Sequence, residues 1–439
     1  MGADERVIAD ARDLARHFGL GAKPKVAFRV GAEHEKIGVL ADGSAVPYQG
    51  ERGIGKVLER LAVGGYEAVR EDGNVIALRR GSMSVTLEPG GQLELSGAVA
   101  RDAYEAGREL CDHFDEVKQV SEGLGITWLA IGFRPFQTLA DVPWMPKGRY
   151  RVMKAYLPTR GRLAHEMMKR TATVQANLDY EDEADASRKF RTAMGVTSLV
   201  TALYANSPLV DGKPSGYKTY RAAVWLETDP DRCGLLPFAF DSGDALFERY
   251  AEWALDVPMF FVYRDSYVPA GGLTFRRFLR EGFRGQRATL SDWELHLSTL
   301  FPEVRLKRYL EMRGADSGPV ELVRALPALW RGLLYDRDAC AAAWQLVADL
   351  SMDEREQLRR DVPRQALEAR VRGRSVRELA RELIAIAKAG AKRLLRHEAR
   401  LLAPLERIVE EGRVPADRVL DAYAAAAGDT AALMAAVRY

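Results

Sequence analysis

Five short segments between Val26 and Ser96 alternate apolar and polar side chains, and this alternation most constrains the fold. The segments are Val26–Leu40, Tyr66–Glu71, Val75–Arg80, Ser84–Glu88 and Gln92–Ser96. A period of two places one set of side chains on each face of an extended strand. Asp72-Gly73-Asn74, Gly81-Ser82 and Pro89-Gly90-Gly91 are turn signals between antiparallel neighbours. The expected result is an antiparallel meander with one polar face. That face carries carboxylates: Glu33 and Glu35 lie two apart in the first segment, and Glu94 shares the polar side of its segment with Gln92 and Ser96. Paired carboxylates on one face drive each other toward protonation unless a cation lies between them. Magnesium arriving with ATP suits such a face, because it takes carboxylate oxygens and leaves room for phosphate.

Elsewhere the pattern is mixed. Helical spacing is expected over Arg6–Phe18, with Val7, Ile8, Ala11, Leu14 and Ala15 on one side, and again over Ala100–Leu124 and Ala184–Tyr204. The apolar run Ile126–Phe133 reads as a central strand, and Val257–Tyr263 as another. Arg170–Tyr180 is a strand whose polar face holds Thr171, Thr173, Gln175, Asn177 and Asp179. Ser291 with Glu294 forms a capping box opening a helix at Asp292, Pro302–Arg313 is strand-like, and the chain is helical from about Gly318, with a second capping box at Ser375 and Glu378. Strands confined to the first two thirds and alternating face by face give an α+β class, an antiparallel sheet with helices on one side. The expected division is a catalytic core over residues 1–350 and a helical region over 351–439.

Composition excludes several classes. Lys plus Arg (64) nearly equals Asp plus Glu (62), and the net charge of +2 offers no general attraction to nucleic acid. No apolar stretch reaches the roughly 18 residues that span a bilayer, and Met1–Arg12 is mixed-charge without a signal-peptide core, so the expected location is cytoplasmic, away from membranes. Cys111, Cys233 and Cys340 lack CxxC spacing and read as reduced, buried thiols. Between Arg364 and Arg400 eleven Lys or Arg stand against four Asp or Glu, but Val376, Leu379, Leu383, Ile384 and Ala387 keep an apolar stripe, so the charges read as a solvated helix face.

The chemistry concentrates in a few motifs. Gly31–Gly38 reads G-A-E-H-E-K-I-G, with His34 between the two glutamates on the other strand face, where it reads as a packed histidine. In L-E-P-G-G-Q-L-E-L-S, Glu88 and Glu94 bracket a Pro-Gly-Gly turn expected to bring backbone close to a ligand. In F-P-E-V-R-L-K-R-Y-L-E-M-R-G-A-D (Phe301–Asp316), Glu311 and Arg313 share a face with Arg305, Lys307 and Tyr309. That arrangement suits a metal-phosphate complex, with Glu311 on magnesium and Arg313 on the transferring phosphate, or a structural salt-bridge ladder.

With M-P-K-G-R-Y (Met145–Tyr150), T-V-Q-A-N-L-D (Thr173–Asp179), A-N-S-P (Ala205–Pro208) and D-P-D-R-C-G-L-L-P-F (Asp229–Phe238), these motifs resemble glutamate-cysteine ligases of the plant and proteobacterial type, from about Gly31 to Asp338. The resemblance implies a glutamine synthetase-like curved antiparallel sheet and an ATP-dependent ligase. ATP would phosphorylate the γ-carboxylate of L-glutamate, and the amine of L-cysteine would displace the phosphate, the first step of glutathione biosynthesis. It implies that Glu33, Glu35, Glu88, Glu94, Gln175 and Glu311 hold magnesium. Glu33, Glu35 and Arg313 would be catalytic, Arg313, Lys36 and Asn177 would bind ATP, and Arg149, Arg221, Trp225 and Arg232 would contact substrate. The protein would act as a monomer or homodimer. Plant members carry cysteine pairs that form regulatory disulfides, and Cys111, Cys233 and Cys340 do not match those positions. A γ-glutamyl ligase for another amine, or a guanidino-type phosphotransferase on the same sheet, stays open, because the metal motifs do not define the acceptor pocket.

Overall fold

The computed structural model describes residues 6–8, 10, 12–241, 243 and 245–439. Its centre is a nine-stranded sheet formed by β1 (Val30–Val39), β2 (Glu67–Glu71), β3 (Asn74–Arg80), β4 (Met83–Leu87), β5 (Leu93–Ser96), β6 (Thr127–Leu129), β7 (Thr173–Leu178), β8 (Val304–Leu306) and β9 (Leu310–Asp316). The order is β8-β9-β7-β1-β5-β4-β3-β2, with β6 paired to the end of β1, and every pairing is antiparallel. The α+β class and the meander from β2 to β5 are as the alternation required.

One face of this sheet is sealed. Ala32, Val85, Leu87, Leu93, Leu95, Val174, Ala176, Leu178, Leu310 and Met312 are almost wholly buried, against helices Ala103–Ser121, Glu183–Leu203 and Val320–Leu334. Each such aliphatic side chain contributes about 1.5–3 kcal/mol of burial free energy, and it fixes the register because a one-residue slip would turn every glutamate into the core. His34 belongs to this sealed side. Its Nε2 bonds Ser317 Oγ at 3.1 Å and the Tyr439 hydroxyl at 2.7 Å, so it is a packed histidine.

The helical region beyond residue 351 packs on the same layer. Helix Val376–Leu394 lies on Val320–Leu334, and Glu398 accepts from the backbone of Ala103 and pairs with Arg331. Much of its basic excess is spent in ion pairs such as Arg393–Asp336 and Lys388–Glu406, and the Ser375–Glu378 capping box is present. Among the described residues no helix is long and apolar enough to cross a membrane.

Several expected boundaries differ. The first helix is Arg12–Gly19, because Val7 instead forms a bridge to Thr289; Ala11 lies outside the described residues. Lys25–Ala27 is a 3-10 turn, so β1 begins only at Val30. The run Ile126–Phe133 gives a three-residue strand at the margin of the sheet, since Ala130 and Gly132 bond to Val437 and Asn206 carbonyls outside it. Of Val257–Tyr263 only Phe261–Tyr263 forms a strand, in a separate two-stranded ribbon. The capping box near residue 290 is Thr289 with Asp292, which starts the helix at Leu290. Pro302–Arg313 folds into a hairpin, because Lys307 and Tyr309 close a turn between β8 and β9.

Candidate active site

The open face of the sheet forms the floor of a cavity of about 620 Å³, within the roughly 300–1,000 Å³ usual for ligand sites. Register explains what lines it. Residues directly opposite in an antiparallel pair share a face, and the strands superimpose three polar rows. Thr86, Glu94 and Glu35 form one, and Ser84, Ser96, Glu33 and Gln175 the next. Arg305, Glu311, Asn177 and Gly31 form the third.

The first two rows, with Glu88 from the β4–β5 turn, make an acidic pole. Glu94 accepts from Thr86 Oγ1 at 2.8 Å, Glu35 from the Thr173 amide at 3.0 Å, and Glu33 from Asn177 Nδ2 at 2.8 Å. These bonds do not neutralise the set. Burial, then Glu311 and Glu94, push the Glu33 carboxyl up to about 7. Burial with Glu94 and Glu88 raises Glu35 well above the usual carboxylate range, and burial with Glu88 raises Glu94. Among the described residues none of the four carboxylates of this pole forms an ion pair, and Lys147, which also lines the cavity, only partly offsets Glu94.

The third row makes a basic pole. Arg305 and Lys307 reach Glu311 at 2.7 and 2.6 Å, and Arg313 pairs with it as well. Burial alone would raise Glu311, but the three cations together hold it well below its ordinary value. A register shift between Met312 and Ala315 releases Arg313 from the ladder, and its Nη1 also donates to Gln175 Oε1 at 3.0 Å. Arg149 lines the opposite wall above the Phe261 ring, without a carboxylate partner among the described residues.

Of the residues expected in the site, Glu33, Glu35, Glu88, Glu94, Gln175, Asn177, Arg149, Trp225 and Arg313 line this cavity. Four do not. Glu311 is wholly buried and paired with Arg305, Lys307 and Arg313, whose side chains do line it. Lys36 follows Glu35 directly, so the pleat turns it to the sealed face, where its ammonium donates to the His34 carbonyl. Arg232 is fully buried with every arm used, by Asp229 at 2.6 Å and by the Thr299 and Pro258 carbonyls. Arg221 lies behind the site in a small adjoining cavity and donates to the Arg313 carbonyl at 3.0 Å. The Pro-Gly-Gly turn is also corrected: a Cβ at Gly90 would meet the Lys169 carbonyl oxygen at 2.0 Å, so the close approach is to protein, while Gly91 takes a φ of +84°. Reasoning from sequence passed over Lys147, Arg29 and Asp179 as site residues. Lys147 was detectable in principle, two positions before Arg149 in the same motif.

The donor set can be tested against a metal. Among the described residues no three Asp, Glu, His or Cys side chains gather closely enough to hold an ion by themselves. A magnesium ion needs only one or two carboxylates when phosphate oxygens complete its shell, and the acidic pole fits an ion of that kind. Glu311 and Gln175 fit less directly, since each is already engaged by Arg313.

The chain matches the profile of glutamate-cysteine ligase family 2 (GCS2) over residues 29–436. It is 45% identical over 417 residues to glutamate–cysteine ligase B, chloroplastic, of Oryza sativa subsp. japonica, covering 94% of this chain and 83% of that one. It is likewise 45% identical over 417 residues to the chloroplastic glutamate–cysteine ligase of Medicago truncatula, covering 94% and 82%. Among solved structures, a glutamate–cysteine ligase of Francisella tularensis in complex with AMP superposes with a TM-score of 0.58 at 12% identity, over 95% of this chain and 88% of that one, a likeness of fold. The expected cytoplasmic location is contradicted by these relatives, which are named as chloroplastic enzymes.

Proposed function

The chain belongs to glutamate-cysteine ligase family 2 and joins L-glutamate to L-cysteine with ATP, the first step of glutathione biosynthesis; we propose that this chemistry takes place in the two-pole cavity. The observation that carries the assignment is the division of one sheet face into four carboxylates with no ion pair among the described residues and three bases around Glu311.

Each pole then has a task. Glu33, Glu35, Glu88 and Glu94 would hold magnesium, which would offset the negative charge of the ATP phosphates. Arg305, Lys307 and Arg313 face the transferring phosphoryl group, and their fixed positive charge stabilises it and the acyl phosphate it forms on the γ-carboxylate of glutamate. The amine of cysteine attacks that carbonyl carbon, and phosphate leaves with the bonding pair. Arg149, with no carboxylate partner among the described residues, offers its guanidinium fork to a substrate carboxylate. Asn177 fixes Glu33, and Trp225 closes the wall beside Arg313, 5.8 Å from ring centre to guanidinium. Arg221 supports Arg313 from behind. Catalysis by positioning and electrostatics needs no enzyme nucleophile.

The test is a coupled ADP-release assay with glutamate and a panel of amino acids. Cysteine is expected to give the highest kcat/KM, with one phosphate released per ADP. A different preferred amine, or ADP without phosphate, would overturn the reading.

A further inference from the structure

A second cavity, of about 370 Å³, lies between helices Glu183–Leu203 and Arg337–Gln345 and shares no lining residue with the first. Its wall is apolar and aromatic at one side, from Leu334, Tyr335, Ala341 and Trp344. The charged lining is lopsided: Lys25, Arg188, Lys189, Arg191 and Arg337 against the single carboxylate of Asp185. Asp185 is itself consumed by Lys189 at 2.6 Å and Arg188 at 3.3 Å. Arg191 and Arg337 have no carboxylate partner among the described residues. Arg191 lies over the Trp344 ring at 5.0 Å, and its Nε is buried without an acceptor. Two guanidinium groups without a carboxylate partner among the described residues, beside an aromatic wall, form a recognition surface for an anion carried on an apolar body.

The cavity is also wired to the active site. Lys189 donates to the Asp179 carbonyl at 2.9 Å. The Tyr335 hydroxyl accepts from the Asp179 amide at 2.7 Å and donates to the Arg29 carbonyl. Arg29 and Asp179 both line the catalytic cavity, at the ends of the strands that carry Glu33 and Gln175. We propose that this second cavity binds a small organic anion, a phosphate or carboxylate on an apolar or aromatic body, and that its occupancy changes substrate affinity through Tyr335 and Lys189. A ligand that contacts both residues has a direct means of biasing two arrangements of Asp179 and Arg29.

Phenyl phosphate is the probe, titrated calorimetrically into the full chain with phenol and inorganic phosphate as controls. Saturable binding is expected, stronger than for either control and still present at saturating ATP. It should weaken at least tenfold in Arg191→Ala/Arg337→Ala. It should weaken likewise in Gln345→Glu, which adds a repelling carboxylate on the lining and deletes no packing. In steady state, the probe should shift KM for ATP or glutamate in the wild type and leave KM of the double variant unchanged. Binding that survives both variants, is displaced by ATP or never saturates overturns the site; an unmoved KM overturns the coupling. Calorimetry requires no turnover, so failure of the ligase assignment would leave the binding result intact.

Discussion

Replacing Glu311 with Gln separates two roles for this residue. In the structure it is the counter-charge for Arg305, Lys307 and Arg313 and is wholly buried, while those side chains are 9%, 26% and 12% exposed. Removing one partner of a buried ion pair costs about 3–5 kcal/mol, because the other charge stays buried and unpaired. Lys307 has the most access to solvent, which places the expected loss near the lower limit, about 3 kcal/mol. Unfolding entropy of about 2.1 cal/mol/K per residue over 439 residues is roughly 0.9 kcal/mol/K. The thermal midpoint should therefore fall by about 3 °C. Millimolar phosphate should restore more of that loss in Glu311→Gln than it adds to the wild type, since it replaces the missing negative charge. Scanning fluorimetry with and without phosphate, in the absence of magnesium, reads both effects. An unchanged midpoint, with phosphate acting equally on both proteins, would refute the counter-charge argument. A raised magnesium requirement for turnover without loss of stability would return Glu311 to the metal set.

Glu33→Gln removes a carboxylate whose neighbours are other carboxylates, so it should lower kcat by at least about 100-fold and leave the metal-free midpoint unchanged or higher; near-normal turnover in the ADP assay would reject Glu33 as a site carboxylate. Burial holds His296 down to about 4, with Nε2 on the Ala254 carbonyl and Nδ1 without a partner among the described residues. Its folded value lies below 6.5, so the unfolded chain binds the extra proton first, and stability present above pH 6.5 is lost as pH falls toward 4, by up to about 3 kcal/mol. Urea midpoints at the two ends of that window should converge in His296→Gln, and an equal acid loss in the variant would remove His296 as the cause. Cys111, Cys233 and Cys340 are free, so dithiothreitol should leave kcat and KM unaltered; a marked change on reduction would contradict a chain without a disulfide switch.

The pleat made much of the site legible. Glu33 and Glu35, Gln175 and Asn177, and Glu311 and Arg313 each lie two apart, and that spacing alone assigns each pair to one face. The same rule places Lys36 on the sealed face beside His34, so its assignment to ATP binding conflicted with the parity used for its neighbours. Arg232 had the opposite difficulty. Nothing local shows that its three arms are taken, because the Thr299 and Pro258 carbonyls come from distant segments. The helix boundary near residue 290 was missed for a local reason: Thr289-x-x-Asp292 and Ser291-x-x-Glu294 are overlapping boxes, and the bridge from Val7 to Thr289 decides between them.

By itself the sequence determined the antiparallel sheet, its polar and apolar faces and the glutamates that share the polar one, because a period of two is a local property of extended backbone. Only the tertiary structure decided which carboxylates stand opposite one another and which already have partners. Glu35 meets Glu94 across β1 and β5, which leaves charge for a cation to satisfy. Glu311 meets Arg305 across β8 and β9, which satisfies it within the protein. Register and hairpin closure join residues tens to hundreds of positions apart, and the electrostatic character of a carboxylate depends on what stands across from it.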